Sequence, residues 1–311
     1  KFYCVDLFAG CGGLSLWLEM VGFTPLLFNE LSLDAAKTYM VNRKGLDIFP
    51  SGDIYQLTDL ELKIKQEYWR QRGISDIDLV CGGPPCQGYS GIGHRRTFNL
   101  NKEDIPSNQL FLEMIRVIRC LQPKIFLFEN VRGLLNSRWT PGAEKGGIFR
   151  DVVAGFNELQ GYRIKWNLVY AKDYGVPQNR PRVLMVGIRQ DIFESAGFDE
   201  HLGNDTSLDG TAVEDGFLPM PTGEEPPTIV ELLSDLVDPK VLNSPRWVQE
   251  TTTYQKPART EIQKFLRTPK GLASPLGRGE PLTQHEYSRH RPSILEKFRH
   301  MIENDGEIPS E

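Results

Sequence analysis

Short apolar runs recur along the first two thirds of the chain, and between them lie stretches whose apolar positions repeat at helical spacing. From Phe2 to about Arg189 this alternation predicts βα units and a largely parallel sheet. The runs predict strands near 2–8, 24–29, 77–81, 124–129, 163–170 and 182–188. The amphipathic stretches predict helices near 13–21, 33–42, 57–71, 108–121 and 147–160. Beyond Arg189 the pattern thins. Residues 197–227 are acidic and rich in Gly and Pro, which predicts a loop or partly disordered insertion. Thr228 is placed to cap a short helix over 228–233, residues 243–291 carry little regular pattern, and 292–301 reads as a helix. The expected organisation is an α/β domain over 1–190 and an irregular second region over 191–311.

Composition narrows the classes. The 311 residues are 40% hydrophobic, ample for a real core, and no apolar run approaches the roughly 20 residues that span a bilayer. No charged and apolar leader precedes the first strand, so a cytoplasmic protein is expected. Five cysteines, none paired at CxxC spacing, indicate neither a disulfide framework nor a zinc site. The net charge of −5 does not mark a nucleic-acid binder, but basic clusters at His94-Arg95-Arg96, at Arg132 and Arg138, and at Arg289-His290-Arg291 allow a local phosphate-binding surface. The chain starts at Lys1 and ends on a polar segment, which reads as a piece of a longer protein.

Ligands of an open parallel sheet collect at the carboxyl ends of its strands. The first such end is Asp6-Leu7-Phe8-Ala9-Gly10-Cys11-Gly12-Gly13, where three glycines in four residues permit a sharp turn and close approach of a ligand. The spacing is not GxGxxG and no GKS or GKT follows, which disfavours a phosphate site. Glu30, about 20 residues on, is placed to take two ribose hydroxyls, and Asp53 to accept from an adenine amino group with Ile54 against the ring. Together these describe a site for an adenosine without phosphates, with S-adenosylmethionine as the obvious ligand.

A second group of residues carries reactive chemistry. In Gly82-Gly83-Pro84-Pro85-Cys86-Gln87-Gly88-Tyr89-Ser90, two prolines hold the Cys86 thiol on a stiff segment beyond a buried strand. Such stiffness suits a nucleophile that must meet one carbon, whereas Cys81, inside the apolar run, reads as a structural thiol. Glu129 closes the apolar strand 124–128, and partial desolvation there would raise its pKa and let it share a proton. Arg180 and Arg182, at i and i+2 on an extended chain, point to one side; one can donate to a carbonyl oxygen and the other can fix a carboxylate.

DLFAGCGGLS, GDI, GGPPCQGYS, ENV and QNRPR stand in an order and at separations that resemble the DNA (cytosine-5)-methyltransferase family over about residues 2–190. The resemblance implies a doubly wound, mostly parallel sheet of the S-adenosylmethionine-dependent methyltransferase type, Rossmann-like, followed by a partial second region. It implies cofactor contacts at Phe8, Gly10, Gly12, Glu30, Asp53, Ile54 and Leu110, catalysis by Cys86, Glu129, Arg180 and Arg182, and DNA contacts at Gln87, Ser90, Arg95 and Arg96. In the implied reaction a cytosine of duplex DNA is flipped out, Cys86 adds to carbon 6, and carbon 5 takes the methyl group. Arg182 would hold the carbonyl oxygen at position 2 and Arg180 would support the pocket. The loop from Gly88 to about Ser107 is suited to closing over the DNA. On this reading 1–190 is the cofactor-binding catalytic domain and 191–311 an insertion plus the start of a target-recognition region.

Two family features are missing. No GN(S/A)V motif and no TPRE-type helix occurs, so a further C-terminal segment or a second chain is expected to complete the fold, and the segment alone to bind cofactor weakly. Ser107-Asn108-Gln109 stands where many members carry an arginine. Two other functions remain open on sequence: a tRNA cytosine-5 methyltransferase, disfavoured because CFTxxYxxY is absent, and a non-catalytic regulator that binds DNA or a partner, disfavoured by intact Cys86, Glu129 and Arg182.

Overall fold

The computed structural model describes residues 1–85, 109–140, 142–206, 209–242, 244, 246–269, 271–304 and 306–309. Two compact units divide them: Lys1–Tyr174 with Gln178–Glu224, and Gly175–Pro177 with Glu225–Glu311.

In the first unit seven strands form one sheet: β1 (Phe2–Leu7), β2 (Phe23–Asn29), β3 (Phe49–Ser51), β4 (Leu79–Gly82), β5 (Ile125–Val131), β6 (Tyr162–Tyr170) and β7 (Pro181–Arg189). Their order is β3-β2-β1-β4-β5-β7-β6. The first five are parallel, while β7 runs antiparallel between β5 and β6. The sequence pattern anticipates six of these strands; β3, three residues with Pro50 at the centre, has no periodicity to find. Helices α1 (Gly13–Met20), α2 (Leu33–Val41), α3 (Asp59–Arg70), α4 (Leu110–Leu121) and α5 (Gly147–Asn157) fall where the apolar spacing predicts them. α3 begins with a full capping box, Thr58 with Glu61, which closes two otherwise orphan backbone donors.

The core follows from these patterns. The parallel strands are buried on both faces, so Val5, Leu7, Leu27, Val80 and Phe126 are almost wholly inaccessible, and α4 and α5 add Met114, Ile118, Phe149 and Phe156. Gly187 on β7 exists to admit Phe126, whose ring would lie 1.9 Å from a β-carbon there.

The segment 197–227 differs from its expectation. Its described residues include no strand, but they are packed: Phe198 and Phe217 join Phe193 of α6 (Gln190–Ser195) in an aromatic cluster. Asp205 is buried beside Lys165, 3.1 Å away, and accepts the Trp166 amide. An acidic composition hides these partners because they lie some 40 residues upstream.

The second unit contains α7 (Ile229–Leu233), α8 (Pro239–Leu242), α9 (Glu261–Arg267) and α10 (Pro292–Glu303). α9 lies inside the stretch expected to be irregular. Its Thr260/Gln263 capping box was the available signal, and buried Gln263 also donates to the Glu231 carbonyl at 2.7 Å. Arg267 pairs with buried Asp235 at 2.9 Å. Among the described residues no helix is long and apolar enough to cross a membrane.

Candidate active site

The order of the sheet reverses between β1 and β4, and the crevice at such a switch point is where an open α/β sheet receives its ligand. Leu7 and Gly82 are in register there, so the glycine loop after β1 and the Gly-Gly-Pro-Pro segment after β4 leave the sheet side by side. A β-carbon on Gly82 would meet the Leu7 carbonyl at 2.9 Å, which restricts that position to glycine.

The loop after β1 is conformationally costly. Phe8, Gly10 and Gly12 all have positive φ, at 56°, 56° and 86°, and Phe8 lacks the freedom of glycine. Specific partners hold this shape. Ala9 donates to the Asn29 carbonyl at 2.9 Å, and Gly10 donates to Glu30 Oε2 at 2.8 Å. The other Glu30 oxygen accepts the Ser32 amide at 2.7 Å, so this half-buried carboxylate fixes the loop as well as facing the crevice end of β2. Asp53 accepts from the Tyr55 amide at 3.1 Å, and Ile54 behind it is buried. Asn29 secures that turn by donating to the Gly52 carbonyl, a contact the sequence reading did not anticipate. Leu110 stands at the first turn of α4, partly buried against the core.

These residues fit an adenosyl group without phosphates. The N-cap of α1 is Gly12, which makes no side-chain cap bond, and nothing lies within 4 Å of where a β-carbon on Gly10 or Gly13 would sit, so the turn leaves room for a ligand to approach its backbone. The nearby side chains Glu30 and Asp53 are acceptors suited to hydroxyl and amino donors, not to phosphate oxygens.

Beneath the loop lies a buried polar group. Ser15 donates to Asp6 Oδ2, Ser15 and Tyr39 hydroxyls are 2.8 Å apart, and the Cys81 thiol reaches Asp6 Oδ1 at 3.7 Å. Burial pushes the Asp6 carboxyl up from 3.8 to about 6, and burial also raises the Cys81 thiol, which leaves it inert. Because the folded chain holds the Asp6 proton more tightly than the unfolded chain, this carboxyl favours folding most below pH 3.8. That advantage drains away as pH rises to about 6. The gap corresponds to about 3 kcal/mol. Asp6→Asn is therefore expected to gain about 3 kcal/mol relative to wild type between pH 4 and pH 7. Urea unfolding of both proteins across that range checks it; parallel curves would contradict the buried-proton account.

The reactive end is built by β4, β5 and β7. Glu129 and Arg182 form an ion pair, with Arg182 Nε donating to Glu129 Oε1. The antiparallel register explains it: Glu129 is opposite Leu184 and Val131 opposite Arg182, so Arg182 is the same-face diagonal neighbour of Glu129. A β-carbon on Gly83 would lie 2.9 Å from Glu129 Oε2, so the chain after β4 runs directly against this carboxylate. Buried Asn130 donates to the Pro84 carbonyl at 3.2 Å, fixing the segment two residues before Cys86. Arg180 is exposed, just ahead of β7. Cys86, Gln87, Ser90, Arg95 and Arg96 lie outside the described residues, as does the rest of the 86–108 segment. Among the described residues no three His, Cys, Asp or Glu side chains are grouped to hold a metal.

Sequence reasoning thus singled out Glu129, Arg182, Glu30 and the glycine loop, which the structure places around the β1/β4 crevice and its neighbour β5. It missed Asn130, Asn29, Tyr39 and Arg43. Asn130 and Asn29 carried a signal, since each adjoins a singled-out glutamate, Glu129 or Glu30, at a strand end.

This sheet with its flanking helices is the fold of the S-adenosylmethionine-dependent methyltransferases. The family model for C-5 cytosine-specific DNA methylase matches residues 2–276, and the chain belongs to that family. Type II methyltransferase M.DdeI of Desulfomicrobium norvegicum is 36% identical over 187 residues, 60% of this chain and 40% of the relative. Type II methyltransferase M.AgeI of Thalassovita gelatinovora is 32% identical over 288 residues, 92% of this chain and 60% of the relative. The chain thus spans between two fifths and three fifths of these relatives' lengths. A crystal structure of a prophage-encoded E. coli protein, described as a DNA modification methyltransferase, superposes with a TM-score of 0.56 at 25% identity, covering 84% of this chain and 61% of the other. A Spodoptera frugiperda DNMT2 variant shares the fold with a TM-score of 0.50 at 19% identity, covering 76% of this chain and 61% of the other. The family is one of DNA methylases, and the fold is that of enzymes that draw their methyl group from S-adenosylmethionine.

Proposed function

We propose that this chain carries the catalytic part of a DNA cytosine-5 methyltransferase, working in the cytoplasm as the modification half of a restriction-modification pair. The observation that carries the reading is the Glu129–Arg182 pair set against Gly83, with Asn130 gripping Pro84, which puts the chain two residues short of Cys86 beside a fixed carboxylate and guanidinium. The type II methyltransferase relatives supply the setting.

Each residue then has a task. The Cys86 thiolate adds to carbon 6 of a flipped-out cytosine, and the ring electron pair shifts toward carbon 5. Glu129 hydrogen-bonds N3 and the exocyclic amino group, favouring that shift, while Arg182 holds the carbonyl oxygen at position 2 and keeps Glu129 oriented. Arg180 supports the pocket rim. S-adenosylmethionine would be held by Phe8, Gly10, Gly12, Glu30, Asp53, Ile54 and Leu110 and would supply a methyl group from a sulfonium sulfur, with a neutral thioether as the leaving group. After carbon 5 takes the methyl group, its proton passes to a base, the carbon 5–carbon 6 double bond re-forms, and the Cys86 thiolate departs. Gln87, Ser90, Arg95 and Arg96 contact the DNA from the loop that follows.

The test is methyl transfer by the full-length protein from radiolabelled S-adenosylmethionine to unmethylated duplex DNA and, in parallel, to tRNA. Label recovered as 5-methylcytosine in DNA is expected. Label confined to tRNA would replace this reading with the tRNA enzyme, and label in neither would favour a non-catalytic regulator.

A further inference from the structure

The geometry points to Arg43 as a positioning residue that sets cofactor affinity by holding the glycine loop in its binding shape. The inference rests on the S-adenosylmethionine reading of that loop.

Arg43 follows α2, remote in sequence from the loop, yet its side chain is only 3% exposed. Each of its three nitrogens donates a hydrogen bond. Nη2 donates to the Gly12 carbonyl at 2.9 Å, Nη1 to the Tyr39 carbonyl at 3.2 Å, and Nε to Glu19 Oε1 at 2.6 Å. The guanidinium carbon lies 3.9 Å from the centroid of the Tyr39 ring, which stacks at 4.0 Å on Phe28 near the end of β2. Arg43 therefore joins three pieces of the cofactor crevice: the turn after β1, helix α1 through Glu19, and the end of β2 that carries Glu30.

Gly12 is the position where this matters. Its φ of 86° is left-handed, and its carbonyl is already the first acceptor of α1, taking the Leu16 amide at 3.0 Å. A β-carbon there would lie 2.6 Å from Arg43 Nη1 and 2.5 Å from the Tyr39 ring, so arginine and tyrosine form the wall behind the loop. The carbonyl that opens α1 is thus the one Arg43 holds, which fixes the turn where the loop enters the helix. Glu19 balances the charge, so the role of Arg43 is geometric. A planar fork with several fixed donors performs it, and a lysine ammonium cannot reproduce three directed bonds and a stacked face.

Equilibrium binding of S-adenosylmethionine and steady-state methylation of duplex DNA would be measured for the full-length wild type, Arg43→Lys and the charge-balanced double variant Arg43→Met with Glu19→Gln. The cofactor Kd and KM are expected to rise together, about 10-fold for Arg43→Lys and about 100-fold for the double variant. The value of kcat at saturating cofactor and the KM for DNA should change by less than about 3-fold. If the double variant does not fold, Arg43→Lys decides, with folding checked by circular dichroism. Wild-type cofactor affinity in folded Arg43→Lys, or a fall in kcat with unchanged cofactor KM, overturns the inference while leaving the cofactor reading intact. Failure of the wild type itself to bind S-adenosylmethionine removes both.

Discussion

Cys86→Ser is expected to lower the rate of methyl transfer by at least about 10³-fold while leaving S-adenosylmethionine affinity within about 3-fold of wild type. The proposed reaction depends on a soft nucleophile that adds to carbon 6 and later leaves. A serine hydroxyl is far less acidic than a thiol and its alkoxide is a poorer leaving group, so neither addition nor elimination has a low-energy route. Cofactor binding should survive because its proposed contacts come from the ends of β1, β2 and β3 and from α4, while Cys86 follows β4. Single-turnover transfer and equilibrium cofactor binding, measured on the same preparation, separate the two effects. Retention of more than about a tenth of the wild-type rate would exclude covalent catalysis by this thiol.

Glu129→Gln is expected to cost about 10²–10⁴ in kcat. The amide keeps the shape of the side chain but can neither carry the negative charge that pairs with Arg182 nor exchange a proton with the cytosine ring. It also leaves a half-buried guanidinium without its carboxylate, so a loss of stability accompanies the loss of rate. The distinction lies in where the effect falls. If Glu129 acts on the ring as it reacts, kcat drops with little change in the KM for DNA; a rise in KM alone would make Glu129 a binding residue only.

Much of this site was legible because its residues sit at strand ends, where an apolar run stops and a polar or glycine-rich segment begins. Glu129 after Phe128, the Gly10–Gly13 turn after Leu7, and Gly82-Gly83 after Cys81 are all boundaries of that kind. What the sequence concealed is the pairing of strands. Arg182 lies at the start of β7 and Glu129 near the end of β5; they meet because β7 is antiparallel to β5, and an apolar run carries no mark of its direction. Arg43 and Tyr39 were hidden for a related reason, since their partner Gly12 is joined to them only through the packing of α2 beside the loop. The packing of 198–217 around Phe193 and Asp205 escaped notice because its hydrophobic residues are few and irregularly spaced, and composition reports their surroundings instead.

The central claim is that Cys86 becomes covalently bound to cytosine during methyl transfer. Its most direct test is incubation of the full-length protein with S-adenosylmethionine and duplex DNA carrying 5-fluorocytosine at its methylation site, followed by denaturing separation and peptide mass spectrometry. Fluorine at carbon 5 blocks the proton loss that precedes release, so the account predicts a stable protein–DNA adduct whose modified peptide contains Cys86 and which is absent from Cys86→Ser. An adduct at another residue, or methyl transfer to ordinary cytosine with no trapped complex, would contradict it.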